Sequence, residues 1–284
     1  MLYRTARLLS FMVCGLPKKL RRRLGTFLGE LCWLLVPRKR KTMAVGNVQK
    51  GLEVSSGRAE TIVKQSTVRF GRMLLEVLAF PKIKRDIDQY ITFTGKEYLT
   101  EALACGRGVV LATAHSGNWE LLGAALALNG FPVIAVAQKQ TNAGMDRLIN
   151  EYRTLVGMHV TYKKGVREMI RMLSEGKIVG MLMDQDAGYD GIFVNFFNRE
   201  ASTPQGPAYL ARRKEAPIVP AFITENADGT HTVILQPPIW PQITGQREQD
   251  ILATTQQLTE IIEQHIRVQP AEWFWLHNRW KTTP

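Results

Sequence analysis

His115 and Glu120 frame the run Ala114-His115-Ser116-Gly117-Asn118-Trp119-Glu120. A histidine held by a carboxylate has its tautomer fixed and its basicity raised, which equips it to take a proton from a hydroxyl. On a single helix this spacing leaves the two side chains about 140° apart, so they meet only if His115 lies in the turn ahead of the helix. Gly117 and Asn118 supply such a turn, with Asn118 as N-cap. Taken alone, the spacing more often reflects a surface histidine and a first-turn glutamate favoured by the helix dipole.

Other segments offer further chemistry. Arg167 opens a helical pattern, where it can neutralise a phosphate or an oxyanion, or remain a solvated helix-face cation. Asp184 and Asp186 end an apolar run, and Asp190-Gly191 follows. An EF-hand fails there, because its fifth ligand position is Gly188 and its twelfth is Asn195. Asp184 is expected to orient Arg167 or its own loop, or to serve turn chemistry alone. Arg199, Ser202, Thr203 and Gly206 precede a helix opening at Pro207, which suits either a phosphate seat or an N-cap. The glycines 106 and 108 lack the third member of a dinucleotide fingerprint and come before a strand, not after one. Cys14, Cys32 and Cys105 have no metal or disulfide spacing and read as buried residues in a reducing compartment. Trp273, Trp275, Arg279, Trp280 and Lys281 read as core with snorkelling charges, or as an interfacial belt. His159, His231, His265 and His277 have no usable partner spacing.

The elements that must position these residues are those of an α/β fold. Strands are expected at Val109–Ala112, Val133–Ala137, Ile178–Met183, Ile192–Phe196, Ile218–Ile223 and His231–Leu235. Helices are expected at Glu120–Leu128, Met145–Val156, Val166–Ser174, Pro207–Arg213 and from Asp250 to about Val268, with residues 58–90 also helical. Strands spaced by helices imply a mostly parallel mixed sheet covered by helices, with its site beyond the carboxyl ends of the strands.

The chain has 284 residues, 45% of them hydrophobic and 22% charged, which excludes disorder and leaves room for a full core. Its net charge of +12 is unevenly placed: residues 1–50 hold twelve of the 37 basic residues and only Glu30 of the 25 acids. That end also carries the apolar stretches Leu8–Leu16 and Leu24–Val36. A thirteen-residue helix rises about 20 Å, short of a hydrocarbon core of roughly 30 Å. Two placements fit such stretches: core helices with solvated charges, or interfacial helices on an anionic membrane surface. The confinement of charge favours the second and argues against a nucleic-acid partner. Residues 1–50 thus read as a helical membrane-associating segment and 51–284 as the α/β domain, with the amino end retained.

The context of His115 changes its reading. A His-x4-Asp/Glu motif after a buried strand marks the lysophospholipid acyltransferase superfamily. The chain resembles one branch of it, the bacterial lipid A biosynthesis (late) acyltransferases, over nearly its whole length. The motifs are Leu-Leu-Val-Pro-Arg-Lys-Arg (34–40), residues 114–120, Lys-Lys-Gly-Val-Arg (163–167), Asp184-Gln185-Asp186, and Gly-Ile-Phe-Val-Asn-Phe-Phe (191–197). They continue through 201–206, Ala-Pro-Ile-Val-Pro (216–220) and Trp-Phe-Trp-Leu-His-Asn-Arg-Trp-Lys (273–281). The family usually has Gly where Asn198 stands, and Asn tolerates the left-handed backbone.

The resemblance implies an acyltransferase that needs no cofactor or metal. It would move a fatty acyl chain from acyl carrier protein to a hydroxyl of a phosphorylated glycolipid, a lipid A precursor, at the cytoplasmic face of the inner membrane. A glycerolipid or a mannosylated phospholipid is the alternative acceptor. His115 would be the general base, held by Glu120, with Arg167 and Asp184 near the active site and no covalent acyl-enzyme. Gly117, Asn118, Arg199, Thr203 and Gly206 are the candidate substrate contacts. A non-catalytic basic binding protein would have no use for the His115–Glu120 motif.

Overall fold

The computed structural model describes residues 2–284. Helices α1 (Leu2–Gly15), α2 (Lys18–Leu35), α3 (Arg38–Leu52), α4 (Ser56–Leu78) and α5 (Phe80–Ile83) come first. The α/β part follows as β1 (Ile91–Thr94), α6 (Lys96–Ala104), β2 (Val109–Thr113), α7 (Trp119–Leu128), β3 (Val133–Ala137) and α8 (Ala143–Leu155). It continues with β4 (His159–Tyr162), α9 (Val166–Ser174), β5 (Ile178–Leu182), β6 (Ile192–Asn195) and β7 (Glu200–Thr203). The last elements are α10 (Gly206–Lys214), β8 (Ile218–Glu225), β9 (His231–Leu235) and α11 (Arg247–Val268).

Seven strands form one sheet in the order β1-β9-β8-β2-β5-β3-β4. From β8 to β4 the pairing is parallel, and β9 turns back antiparallel to β8. This is the expected mostly parallel mixed sheet. All five residues of β2 are buried, as a central strand covered on both faces requires. Alternate residues serve opposite cores: Val109 and Leu111 join Leu121, Leu148 and Val219, while Val110 and Ala112 join Met169, Val179 and Ile262. Strands β1, β4 and β7 are not among the expected ones, each being only four residues long. The strand expected at Ile192–Phe196 pairs with β7 in a separate hairpin. Its turn places Phe197 and Asn198 at φ of 54° and 56°, the left-handed pair a type I′ turn needs.

The first helices are built into the body. Ala6 and Val13 of α1 are buried in one core, and Trp33, Ala44 and Val48 of α2 and α3 in the other. Helix α2 lays Arg21, Gly25, Gly29 and Trp33 along one face. A Cβ on Gly29 would lie 2.5 Å from Val68 Cα, so α2 and α4 cross at backbone contact. Some of the basic residues are also used internally: Arg21 is buried and donates to Tyr90 Oη (2.6 Å), Arg22 pairs with Glu225 (2.8 Å), and Arg40 donates to the Leu276 carbonyl (2.7 Å). No described helix is long and apolar enough to cross a membrane.

Candidate active site

Two neighbouring strands deliver the central pair. Strands β2 and β5 run parallel, with Thr113 opposite Leu182, and the Met183 N–H extends the ladder by donating to the Thr113 carbonyl (3.1 Å). His115 and Asp184 each stand two residues beyond that last matched pair. Both therefore emerge from the carboxyl edge of the sheet side by side. His115 Nδ1 lies 2.8 Å from Asp184 Oδ1, and the His115 backbone N–H donates to Oδ2 at 3.0 Å. Trp273 Nε1 donates to the same Oδ2 at 2.7 Å. Burial alone would raise the Asp184 carboxyl pKa. The charge and hydrogen bonds of His115, with the Trp273 indole, outweigh burial and hold it below its ordinary value. An ionised carboxylate on Nδ1 fixes the proton there and leaves Nε2 as the basic nitrogen.

The turn around His115 is held from several directions. Its carbonyl accepts from Phe274 N (3.0 Å), Ser116 bridges to Trp273, and Gly117 N donates to the Glu272 carbonyl (3.0 Å). Gly117 has φ +63°, and a Cβ there would collide with the Ile223 carbonyl oxygen, so this position requires glycine. Asn118 caps α7 through Oδ1 to Leu121 N (3.0 Å), as the sequence predicts. The Trp119 ring meets His115 edge-on at 4.9 Å, and Phe70 and Phe274 extend this partly exposed aromatic wall.

Several sequence expectations need correction. Glu120 does not serve as the partner of His115: its carboxylate takes a two-point contact from Arg153, Nη2 to Oε1 at 2.5 Å and Nε to Oε2 at 2.9 Å. Burial opposes the Arg153 charge, but Glu120 prevails and raises the Arg153 pKa. Because α7 begins at Trp119, Glu120 lies in its first turn, where its side chain reaches α8. Asp184 orients His115, not Arg167. Arg167 is exposed at the start of α9, with no hydrogen bond or ion pair among the described residues.

The candidate substrate contacts are largely occupied within the chain. Gly117 and Asn118 are consumed by the turn, since Asn118 is buried and its Nδ2 donates to Glu76 (2.8 Å). Arg199 stacks on Trp280 at 4.1 Å and donates to Asn47 Oδ1 (3.1 Å). Thr203 is buried, giving its hydroxyl proton to the Ala201 carbonyl (2.9 Å) and accepting from Arg279. Gly206 opens α10 beneath Met181, whose Cε would lie 2.7 Å from a Cβ. Asp186 likewise holds the carboxyl-terminal segment, through Thr282 (3.1 Å) and Lys281 (3.3 Å), while its backbone N–H donates to His277 Nε2 (3.0 Å). The sequence reading misses Arg153 and the role of Trp273, since neither has a distinctive spacing from His115.

Residues 6–282 match the family model described as bacterial lipid A biosynthesis acyltransferase. The chain belongs to that family. Every residue of the site lies inside the matched span. It is 27% identical over 279 residues to a lipid A biosynthesis lauroyltransferase of Escherichia coli, covering 96% of this chain and 89% of that protein. It is 30% identical over 221 residues to a phosphatidylinositol mannoside acyltransferase of Mycobacterium tuberculosis, covering 74% and 67%. The corresponding figures for a Mycolicibacterium smegmatis protein of the same name are 26% over 227 residues, 78% and 73%. These family members are acyltransferases, and so is this chain.

Proposed function

We propose that this acyltransferase moves a fatty acyl chain from acyl carrier protein to a hydroxyl of a phosphorylated glycolipid, a lipid A precursor, with His115 and Asp184 as the general-base dyad. The observation that carries the reading is the Asp184 carboxylate on His115 Nδ1 (2.8 Å), which leaves Nε2 to accept the proton of an attacking hydroxyl. The hydroxyl oxygen adds to the thioester carbonyl carbon as His115 takes its proton. The tetrahedral intermediate then collapses, the carbon–sulfur bond breaks, and the departing sulfur takes the proton back from His115. No acyl-enzyme is required. Glu120 fastens the start of α7 to α8 through Arg153, which keeps the loop leading from His115 in place. Arg167, exposed and without an ion-pair partner among the described residues, is a cation available to an anionic substrate.

The names of the mycobacterial relatives favour a second acceptor, a mannosylated phospholipid, by the same chemistry. Both acceptors are membrane lipids. The outer faces of α1 and α2 expose Leu8, Phe11, Met12, Leu24, Phe27, Leu31, Leu34 and Leu35, with Phe11 at 79% and Leu35 at 74%. Lys19, Arg23, Arg38 and Lys39 accompany them. An apolar strip edged by cations suits attachment to the cytoplasmic face of the inner membrane, without a span. Purified protein supplied with acyl carrier protein thioester and each acceptor in mixed vesicles tests the reading by mass spectrometry. The expected product is heavier by one acyl group, and transfer to the mannosylated lipid alone supports the second acceptor. No product from either acceptor contradicts the proposal.

A further inference from the structure

Beside the Asn118 cap lies a polar cluster that takes no direct part in the proton transfer at His115. Glu76 sits in the last turn of α4, where the helix dipole disfavours an acid. Its Oε2 accepts from Asn118 Nδ2 (2.8 Å), and its Oε1 meets Nε2 of His231 on β9 (3.0 Å). His231 is buried, and the Arg21 guanidinium of α2 lends Glu76 a further favourable charge. Desolvation disfavours the charge of a carboxyl here, but His231 and the Asn118 amide outweigh it and hold the Glu76 pKa below its ordinary value. A residue placed against both local preference and desolvation calls for a function.

That function follows from the donor and acceptor inventory. An amide side chain can present either its oxygen or its nitrogen to a neighbour, whereas an ionised carboxylate only accepts. Glu76 therefore compels Asn118 to turn Nδ2 toward it and Oδ1 toward the Leu121 N–H, the orientation that caps α7. The cap fixes where α7 begins, and His115 is three residues upstream across Gly117, whose close approach to Ile223 leaves no slack. Misplacing a catalytic group by about 1 Å can cost on the order of 10²-fold in rate. We infer that Glu76, paired with His231, is a positioning residue of the acyl-transfer reaction, acting on His115 through the Asn118 amide. This rests on the reading of His115 as the base.

Exchanging the polarity of the Glu76–Asn118 contact tests it. Asn118→Asp sets two carboxylates face to face, and Glu76→Gln removes the acceptor-only partner. The double variant restores one donor facing one acceptor, while the carboxylate introduced by Asn118→Asp still caps α7. Each variant is assayed for kcat and for both KM values at a temperature where circular dichroism shows it folded, beside His115→Ala. Asn118→Asp is expected to lose kcat more than tenfold and Glu76→Gln more than twofold, with both KM values unchanged within twofold. The double variant is expected to recover at least half of the Asn118→Asp loss on a logarithmic scale. Less recovery than that, smaller kcat losses, or losses confined to KM would overturn the inference. Should Asn118→Asp fail to fold, Glu76→Gln alone decides by the same twofold limit. An active His115→Ala would instead refute the base assignment itself.

Discussion

At the residue scale, the decisive relation is that His115 and Asp184 occupy equal offsets beyond adjacent parallel strands. Asp184→Asn keeps the side-chain shape but loses the charge that stabilises an imidazolium, and its amide can present a donor to Nδ1 and favour the wrong tautomer. Its kcat is expected to fall at least tenfold with little change in KM. The same variant carries a stability signature. The folded-state pKa of Asp184 lies below that of the unfolded chain, so its contribution is complete above the unfolded value of about 3.9 and fades as pH drops through that value toward the folded pKa. Thermal denaturation should show the largest gap between wild type and Asp184→Asn near pH 7, and a closing gap below about pH 4. Glu120 and Arg153 should behave as one unit. Their contact leaves neither charge useful alone, so Glu120→Gln, Arg153→Gln and the double variant are expected to lose similar amounts of activity. Losses that multiply in the double variant would mean that the two act separately.

At the scale of elements, the crossing of α2 and α4 offers a clean test of packing. Gly29→Ala forces a methyl group to 2.5 Å from the Val68 backbone, so the helices must part. Overpacking costs about 1–3 kcal/mol, and in a chain of this size the Tm should drop by several degrees. Gly46→Ala, in α3 with open space around the new methyl group, should leave Tm unchanged or slightly raised. Much of the element pattern was legible in the sequence. Val133–Ala137, Val166–Ser174 and His231–Leu235 have the expected bounds, because apolar periodicity and flanking glycines mark them. His159–Tyr162 was not legible, since an edge strand of four residues is too short for its alternation to stand out. Strand order was also hidden: nothing in the spacing of His115 and Asp184 says that β2 and β5 are neighbours. The histidine was thus readable and its partner was not, and Glu120, nearer in sequence, took the place that the sheet assigns to Asp184.

At the scale of the whole molecule, the fold places much of its apolar exposure on α1 and α2 while the opposite faces of those helices complete the cores. Deleting them would uncover α4, so attachment is better tested by surface substitution. Phe11→Ser, Phe27→Ser, Leu34→Ser and Leu35→Ser together should preserve the thermal transition and move the protein from floated anionic vesicles to the unbound fraction. Retained flotation would place the membrane contact elsewhere. High salt should release the unaltered protein only in part, because its apolar contribution is not screened. If His115 removes the proton from the acceptor hydroxyl, the single-turnover rate of acyl transfer by folded His115→Ala in vesicles reports it. General-base assistance typically supplies about 10²- to 10⁴-fold, so a loss of at least about 100-fold is expected, with vesicle binding and Tm unchanged. A folded variant that retains more than about a tenth of the wild-type rate would contradict it.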